Sequence, residues 1–464
     1  MKTLSRLYWT AFLGWRVRGQ ARYAFRPPEA VRRDQCRRVR RMVAYAWRHV
    51  PYYRRTLERL GRTPADFRAV EDLERLPLIE REDLARNPME FVSTEHPPDR
   101  HLLLHSGGST GRPVDVYLDT RGLFEQAACF ERLRAIVARC VGRRYGYREA
   151  VFASPQGTAP LVRRFCHERA WFPARARIHR RLIDLFLPIE EHLARLEEFR
   201  PDVLYGQGST LGRLFAHARE TGAPFHPPKA IIYTSDDIPG SMRRLILDEF
   251  HTPVFSLYGA VEALIVGFEC EQHRGIHVNT DCCPVRIVDD AGRTLPPGET
   301  GDVVVSNLAN WGTVLLNYRL GDLAALLPEP CPCGRSLPLL SFPQGRRDDR
   351  LLLPSGRTLH PQALRGPLEA LDGVREYQVV QESPTLLRVA LLLARSADRD
   401  RIAEAVRSRF AEICGPNVTT NVQFVDAIER TALGKTRLIV TKVAMPRPGL
   451  RQGPGASRLE RRGG

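Results

Sequence analysis

Long apolar runs are missing from this sequence. The N-terminal stretch Leu7-Tyr8-Trp9-Thr10-Ala11-Phe12-Leu13-Gly14-Trp15 is closed off by Arg16 and Arg18, well short of the roughly 20 apolar residues a membrane-crossing helix needs. No small-residue cleavage site follows it, so neither a secretory leader nor a transmembrane segment is expected, and a cytoplasmic location is. Zinc-finger, RNP-type and helix-turn-helix signals are absent, as is the Walker sequence G-x-x-x-x-G-K-[ST]. Lysine is scarce, occurring only at Lys2, Lys229, Lys435 and Lys442, so arginine carries the net charge of +17. The densest basic run, from Arg32-Arg33 through Arg37-Arg38 to Arg40-Arg41, interleaves with Val39, Met42, Val43 and Trp47. That spacing describes an amphipathic helix with a solvated basic face rather than a nucleic-acid surface. The charge instead favours small anionic ligands.

With 464 residues, 43% of them hydrophobic, the chain is long enough for more than one core, since single cores stop growing beyond roughly 250–300 residues. Residues 1–85 read as a helical, basic segment packed on the main domain, with Pro51, Pro64 and Pro77 as punctuation. From about residue 100, short apolar runs alternate with amphipathic helices: a helix over Gly122–Val141, a strand at Val203–Tyr205, a strand at Ala230–Thr234, a helix from Ser241 and a strand at Val254–Tyr258. Strand, helix, strand implies parallel α/β layering. After Asp281, short β segments and Gly/Pro turns mark a β-rich subdomain. A charged break at Gly345–Arg350 separates this main domain (86–347) from a small α+β domain (348–443), and the arginine- and proline-bearing tail (444–464) is expected to be disordered. The expected class is α/β, with a large N-terminal domain of α/β and β-rich subdomains and a small mobile C-terminal domain.

Four short stretches carry chemistry. In His105-Ser106-Gly107-Gly108-Ser109-Thr110-Gly111-Arg112-Pro113 the glycines permit close backbone approach, and Ser106, Ser109 and Thr110 add hydroxyls suited to the phosphates of ATP. Tyr258-Gly259-Ala260-Val261-Glu262 follows an apolar strand, where α/β sheets place ligands; Tyr258 suits a purine face and Glu262 a Mg²⁺ ion. Asp322, in Tyr318-Arg319-Leu320-Gly321-Asp322, can accept two ribose hydroxyls. Lys435, after Gly434, supplies a compact charge in a chain that otherwise uses arginine. Lys435, Glu262 and Thr110 are the catalytic candidates. Each stretch alone is also compatible with an ordinary loop or strand end; the order of all four is what points to ATP-dependent activation of a carboxylate. Separately, Cys331-Pro332-Cys333 is a thiolate knuckle which, with Cys270 and His277, is expected to form a structural Cys₃His zinc site, the alternative being unliganded cysteines, with Cys282 and Cys283 as competing ligands.

These motifs, with C-x-C-G-R and G-R-x-D-D between them, resemble the adenylate-forming enzymes, and within them the phenylacetate CoA ligase branch and its capsular-polysaccharide relatives. The resemblance spans about residues 30 to 443. It implies Ser106 to Pro113 as the phosphate loop, Tyr258 and Gly259 at the adenine, Glu262 on Mg²⁺, Asp322 on the ribose and Arg346 near the nucleotide. It also implies Asp348 as a hinge, Lys435 on the acyl carboxylate and α-phosphate, and a zinc precedent at Cys270, His277, Cys331 and Cys333. The implied partners are a small carboxylic acid and CoA, with a carrier protein or an amine as alternative acceptors and a non-catalytic nucleotide-binding scaffold as a second alternative. Arg112, His105 and Leu353-Pro354-Ser355-Gly356-Arg357 depart from the family pattern, the last at a segment that bears on the acceptor. Tyr205, Tyr233 and Phe255 suggest an apolar or aromatic acid.

Overall fold

The computed structural model describes residues 2–106, 113–173, 177–431, 434 and 436–443. The Gly107–Arg112 part of the glycine loop, Lys435 and the tail 444–464 lie outside the described residues. The chain begins with α1 (Lys2–Val17), α2 (Gln20–Tyr23), α3 (Pro28–His49), α4 (Pro51–Arg59) and α5 (Arg81–Arg86). Pro28 and Pro51 start their helices at the first turn, where a missing N–H costs nothing. In α3 the apolar residues Val39, Met42, Val43 and Ala46 face inward, and the arginines line the other side.

The β-hairpin β1 (Leu102–Ser106) and β2 (Val114–Leu118) pairs Ser106 with Val114 and so brackets the glycine-rich segment. Next come α6 (Thr120–Cys129) and α7 (Glu131–Val141), which divide at Phe130 the single helix the apolar spacing suggests. The doubly covered part follows as β3 (Arg148–Phe152), α8 (Thr158–Arg169), β4 (His179–Ile183), α9 (Ile189–Phe199), β5 (Val203–Gln207), α10 (Gly208–Thr221), β6 (Ala230–Thr234), α11 (Gly240–Asp248) and β7 (Val254–Ala260). Strands β4, β3, β5, β6 and β7 run parallel. Helical crossovers on both faces explain why the inner strands β5, β6 and β7 are rich in apolar residues, whereas β4, at the edge of the sheet, carries His179, Arg180 and Arg181.

Beyond β7 the sheet changes sense. β8 (Leu264–Glu269), β9 (Ile276–Val278) and, later in the chain, Leu339–Leu340 add antiparallel strands, giving eight in one mixed sheet. The β texture thus begins before residue 281, because β7 turns directly back into β8 instead of entering a helix. β10 (Val285–Val288), β11 (Gly301–Val305) and β12 (Tyr318–Ala324) form a separate antiparallel sheet; Leu339–Leu340 is β13. One apolar core joins α3 and α4 to this sheet, packing Val39, Met42, Tyr53 and Leu57 with Val266, Ile287, Val303 and Tyr318.

A different core belongs to residues from Leu351 onward. There β14 (Leu351–Leu352) and β15 (Thr358–Leu359) precede α12 (Gln362–Glu369), β16 (Val374–Ser383), β17 (Leu386–Leu393), α13 (Arg399–Cys414), β18 (Thr419–Phe424) and β19 (Ile439–Thr441). The sheet order is β18-β17-β16-β19, and Val379, Val389, Leu391, Val406 and Phe410 fill the space beneath α12 and α13. This lobe meets the larger one through polar contacts, including Arg365 with Asp237 at 3.0 Å and Arg244 with the Glu369 carbonyl at 3.2 Å.

Candidate active site

The turn between β7 and β8 presents Glu262. It is tight enough that a Cβ on Gly259 would lie 2.1 Å from the Leu264 carbonyl oxygen, and Leu264 itself takes a left-handed φ of 56°. Gln126 of α6 holds one side of the turn, with its amide group on the Ala263 carbonyl (3.2 Å) and the Ile265 N–H (3.3 Å). Asn307 holds the other through the Glu262 carbonyl at 3.2 Å. The Glu262 carboxylate is then fixed by two donors to Oε1, Arg81 Nη1 and the Tyr318 hydroxyl, both at 3.3 Å. Oε2 has no partner among the described residues, which leaves lone pairs for a cation.

Arg81 also donates through Nη2 to Ser106 Oγ at 2.8 Å, and Ser106 Oγ in turn accepts the Val114 N–H at 3.3 Å. One guanidinium therefore ties the start of the glycine-rich segment to the acidic turn. Nothing in the sequence around Arg81 signals this role, since it is one arginine among many in a helical stretch. Tertiary pairing puts it there: Ile79 N–H donates to the Asn317 carbonyl and Arg319 N–H to the Ile79 carbonyl, each at 3.0 Å. That zips residues 76–81 alongside β12, next to Tyr318.

Asp322, near the end of β12, lies between Tyr258 and Arg346. The Tyr258 hydroxyl donates to Oδ2 at 2.8 Å, and Arg346 Nη1 is 3.3 Å from Oδ1. Burial, with the Asp322 carboxylate next, pushes the Tyr258 phenol well above its usual range, so it remains a donor. Chiefly the Asp322 charge raises the Arg346 guanidinium further. Arg346 Nε is shut off from solvent and has no hydrogen-bond partner among the described residues. Gly321, at φ 81°, admits the Arg346 guanidinium to 3.1 Å from where a Cβ would stand. Ser106, Arg81, Glu262 and Tyr318 thus form one hydrogen-bonded group and Tyr258, Asp322 and Arg346 a second, with the Glu262 charge also acting on Arg346; Tyr318 and Arg81 are members the sequence did not disclose. Each Asp322 oxygen keeps a second lone pair for ribose hydroxyls.

The connector to the small lobe follows directly. Arg347 pairs with Asp302 and with Asp290 (3.2 Å), Asp349 pairs with Arg437, and Asp348 between them is exposed. Gly434, the residue before Lys435, lies against Leu185 and Gln207 at the carboxyl ends of the parallel strands. The aromatics that suggest an apolar or aromatic acid lie on the parallel strands β5, β6 and β7. Phe255 and Tyr233 are buried in cores on either side of the sheet, and Tyr205 packs on one of them.

The cysteine group is assembled by strand pairing. Cys270 ends β8, His277 sits in β9, and the antiparallel partner Leu339 of β13 brings the Cys331–Cys333 knuckle over that hairpin. The donor atoms of Cys270, His277, Cys331 and Cys333 all lie within 4.8 Å of one another. Cys270 and Cys331 Sγ are 3.6 Å apart and Cys333 Sγ is 3.3 Å from His277 Nε2, close to the ~3.8 Å S···S edge of a tetrahedral zinc thiolate with 2.3 Å bonds. His277 Nδ1 faces the Leu337 carbonyl at 3.4 Å, which leaves Nε2 bare as a ligand must be, and burial pushes its pKa down to about 4. The competing ligands are elsewhere: Cys282 lies against Cys129, Sγ to Sγ 3.0 Å, and Cys283 is in the main core.

Residues 56–310 match the AMP-binding enzyme family and residues 351–442 match the CapK C-terminal domain. The chain is 28% identical to a phenylacetate-coenzyme A ligase of Thermus thermophilus over 76% of its own length and 79% of that protein's. It is 20% identical to Protein CapK of Staphylococcus aureus, covering 81% of each. Among solved structures, 2-hydroxyisobutyryl-CoA ligase in its postadenylation state, with a bound acyl-AMP, superimposes with a TM-score of 0.71 at 22% identity, covering 88% of both chains. In its thioesterification state that ligase gives 0.56 at 21% identity, covering 89% of this chain and 90% of its own. The chain belongs to the AMP-binding enzyme family, the adenylate-forming enzymes, and lies in their phenylacetate-CoA ligase and CapK branch.

Proposed function

We propose that this protein activates an aryl or otherwise apolar carboxylic acid with ATP, giving an acyl adenylate and pyrophosphate, and then transfers the acyl group to CoA. The observation that carries this reading is the continuous chain of contacts Ser106–Arg81–Glu262–Tyr318 beside Tyr258–Asp322–Arg346. The first chain joins a phosphate-side hydroxyl to a carboxylate with an unused oxygen, and the second holds a ribose-side carboxylate. Asp322 and Arg346 orient the nucleoside half. Arg81, released from Glu262 when phosphate arrives, supplies charge to the leaving pyrophosphate. Glu262 would hold Mg²⁺, whose charge would neutralise that of the phosphates. In this reading the segment Gly107–Gly111, with Ser109 and Thr110, cradles the phosphates, and Lys435 contacts the carboxylate and α-phosphate.

The segment from Arg346 onward is the hinge region, with Asp348 its pivot, between a main domain of 86–347 and a lid of 348–443. The better superposition on the postadenylation state of the reference ligase than on its thioesterification state supports a lid set for adenylation. Rotation of the lid then admits the thiol, so one cavity serves both half reactions. Lys435→Ala is expected to suppress adenylation while sparing thioester formation from supplied acyl adenylate. Pyrophosphate release across a panel of aryl and aliphatic acids, with and without CoA, tests the reading. Release that needs an amine or a carrier-protein thiol in place of CoA replaces the acceptor, and no ATP binding by calorimetry overturns the whole.

Cys270, His277, Cys331 and Cys333 hold a structural zinc in this reading, pinning β8, β9 and β13 together. Metal analysis of purified protein should give one zinc per chain, and Cys331→Ser should lower that content together with the melting temperature. Metal-free protein with an unchanged melting temperature removes this element.

A further inference from the structure

We propose that α1 is a docking surface for an anionic lipid bilayer, lying in the headgroup region without crossing it. Helix α1 has two apolar faces. One is docked: Trp9, Phe12 and Leu13 pack on Leu123, Phe124 and Phe165, Arg16 meets Glu125 at 3.3 Å, and Arg6 donates to the His167 carbonyl at 3.2 Å. The other is bare. Leu4, Leu7, Tyr8 and Trp15 are 73%, 50%, 60% and 63% exposed, and three of them are the most exposed large apolar side chains among the described residues. With Ala11 these positions fall within about 100° of arc at helical spacing, so they form one stripe along a helix of about 24 Å. A soluble surface seldom leaves such a stripe uncovered.

Charge decides the occupant. Residues 1–28 contain Lys2, Arg6, Arg16, Arg18, Arg22 and Arg26 and no acidic residue. Arg18 and Arg22, beyond the Trp15 end of the stripe, are exposed. A second copy of the chain meeting this face symmetrically would set one basic arm against another. A bilayer of anionic lipid matches both properties, since Trp and Tyr sit at the headgroup level and arginines meet phosphates. No described helix is long and apolar enough to cross a membrane, so the contact is superficial. It would hold the Trp9–Phe124 cluster, which also contains Leu104 of β1, against the lipid.

The test is cosedimentation of the full chain with vesicles of phosphatidylcholine alone or with 30% phosphatidylglycerol at about 0.1 M salt. Partition onto the anionic vesicles is expected, falling about tenfold in the Arg18→Glu/Arg22→Glu variant and at least about tenfold in Leu7→Glu/Trp15→Glu. Melting temperatures serve as the folding control, and Trp15→Gln replaces the double variant should that variant fail to fold. Three results overturn the proposal: no sedimentation with anionic vesicles, unchanged sedimentation of folded stripe variants, or a dimer in light scattering that Leu7→Glu/Trp15→Glu dissolves.

Discussion

Two groups of polar side chains, each drawn from distant parts of the chain, behave in opposite ways. Around Arg132, the guanidinium makes five hydrogen bonds, to Gln20, Asn279 and both oxygens of Asp281, and is 1% exposed. Around Glu262 and Asp322, lone pairs and the Arg346 Nε are left over. The first group uses its donors to join α2, α7 and the loop after β9, so it is a structural knot. The second keeps unused bonding capacity in one place, which is what a ligand requires. Burial of charge does not separate the two, and neither does a leftover donor, since Asn279 Nδ2 of the first group also lacks a partner among the described residues; the difference is that Arg132 takes both Asp281 oxygens, whereas Glu262 Oε2 has no partner among the described residues.

Breaking the knot should cost the most. Asp281→Asn leaves the Arg132 charge buried without its counter-ion, a loss of about 3–5 kcal/mol in unfolding free energy by denaturant titration. The pH dependence follows with it. Burial alone would raise the Asp281 carboxyl, but the Arg132 charge outweighs burial and holds it well below the usual carboxylate range. Its stabilisation is therefore complete above the ordinary carboxylate pKa near ~4 and is lost as pH falls below that. The Asn variant should show a flatter acid limb.

In the open group the signature is reversed. Glu262→Gln should lower pyrophosphate release about a hundredfold, roughly 2.7 kcal/mol, while leaving the melting temperature within about 2 °C because Oε1 keeps an acceptor for Arg81 and Tyr318. An equal fall in stability would make Glu262 a second knot. Gly259→Ala is expected to cost about 2 kcal/mol of stability, since the added methyl meets the Leu264 carbonyl, and to lower activity with it. Tyr258→Phe removes one donor to Asp322. It should raise the KM for ATP about tenfold, near 1.4 kcal/mol, with little change in stability.

Legibility divides along similar lines. The strands at 203–205, 230–234 and 254–258 were readable because a sheet buried on both faces demands unbroken apolar runs, and the cysteine knuckle because thiolate ligands need close spacing. Glu262 and Asp322 were readable as acids at strand ends. Their partners were not: Arg81 is 181 residues from Glu262, and no local pattern distinguishes it from its neighbours. Aromatic composition likewise did not reveal which face of the sheet each ring occupies: Phe255 and Tyr233 lie in different cores.

By itself the sequence determined the alternation that makes an α/β sheet, the glycine-rich run before Pro113, the acids at Glu262 and Asp322 and the C-x-C spacing of Cys331 and Cys333. All of these are set by spacing within a few residues, where periodicity and backbone sterics act. Only the tertiary structure decided that β7 turns back into β8, that residues 76–81 lie beside β12, and that α1 keeps an uncovered apolar stripe. Those outcomes depend on which surfaces meet across hundreds of residues, and burial is settled by the whole packed molecule rather than by any segment of it.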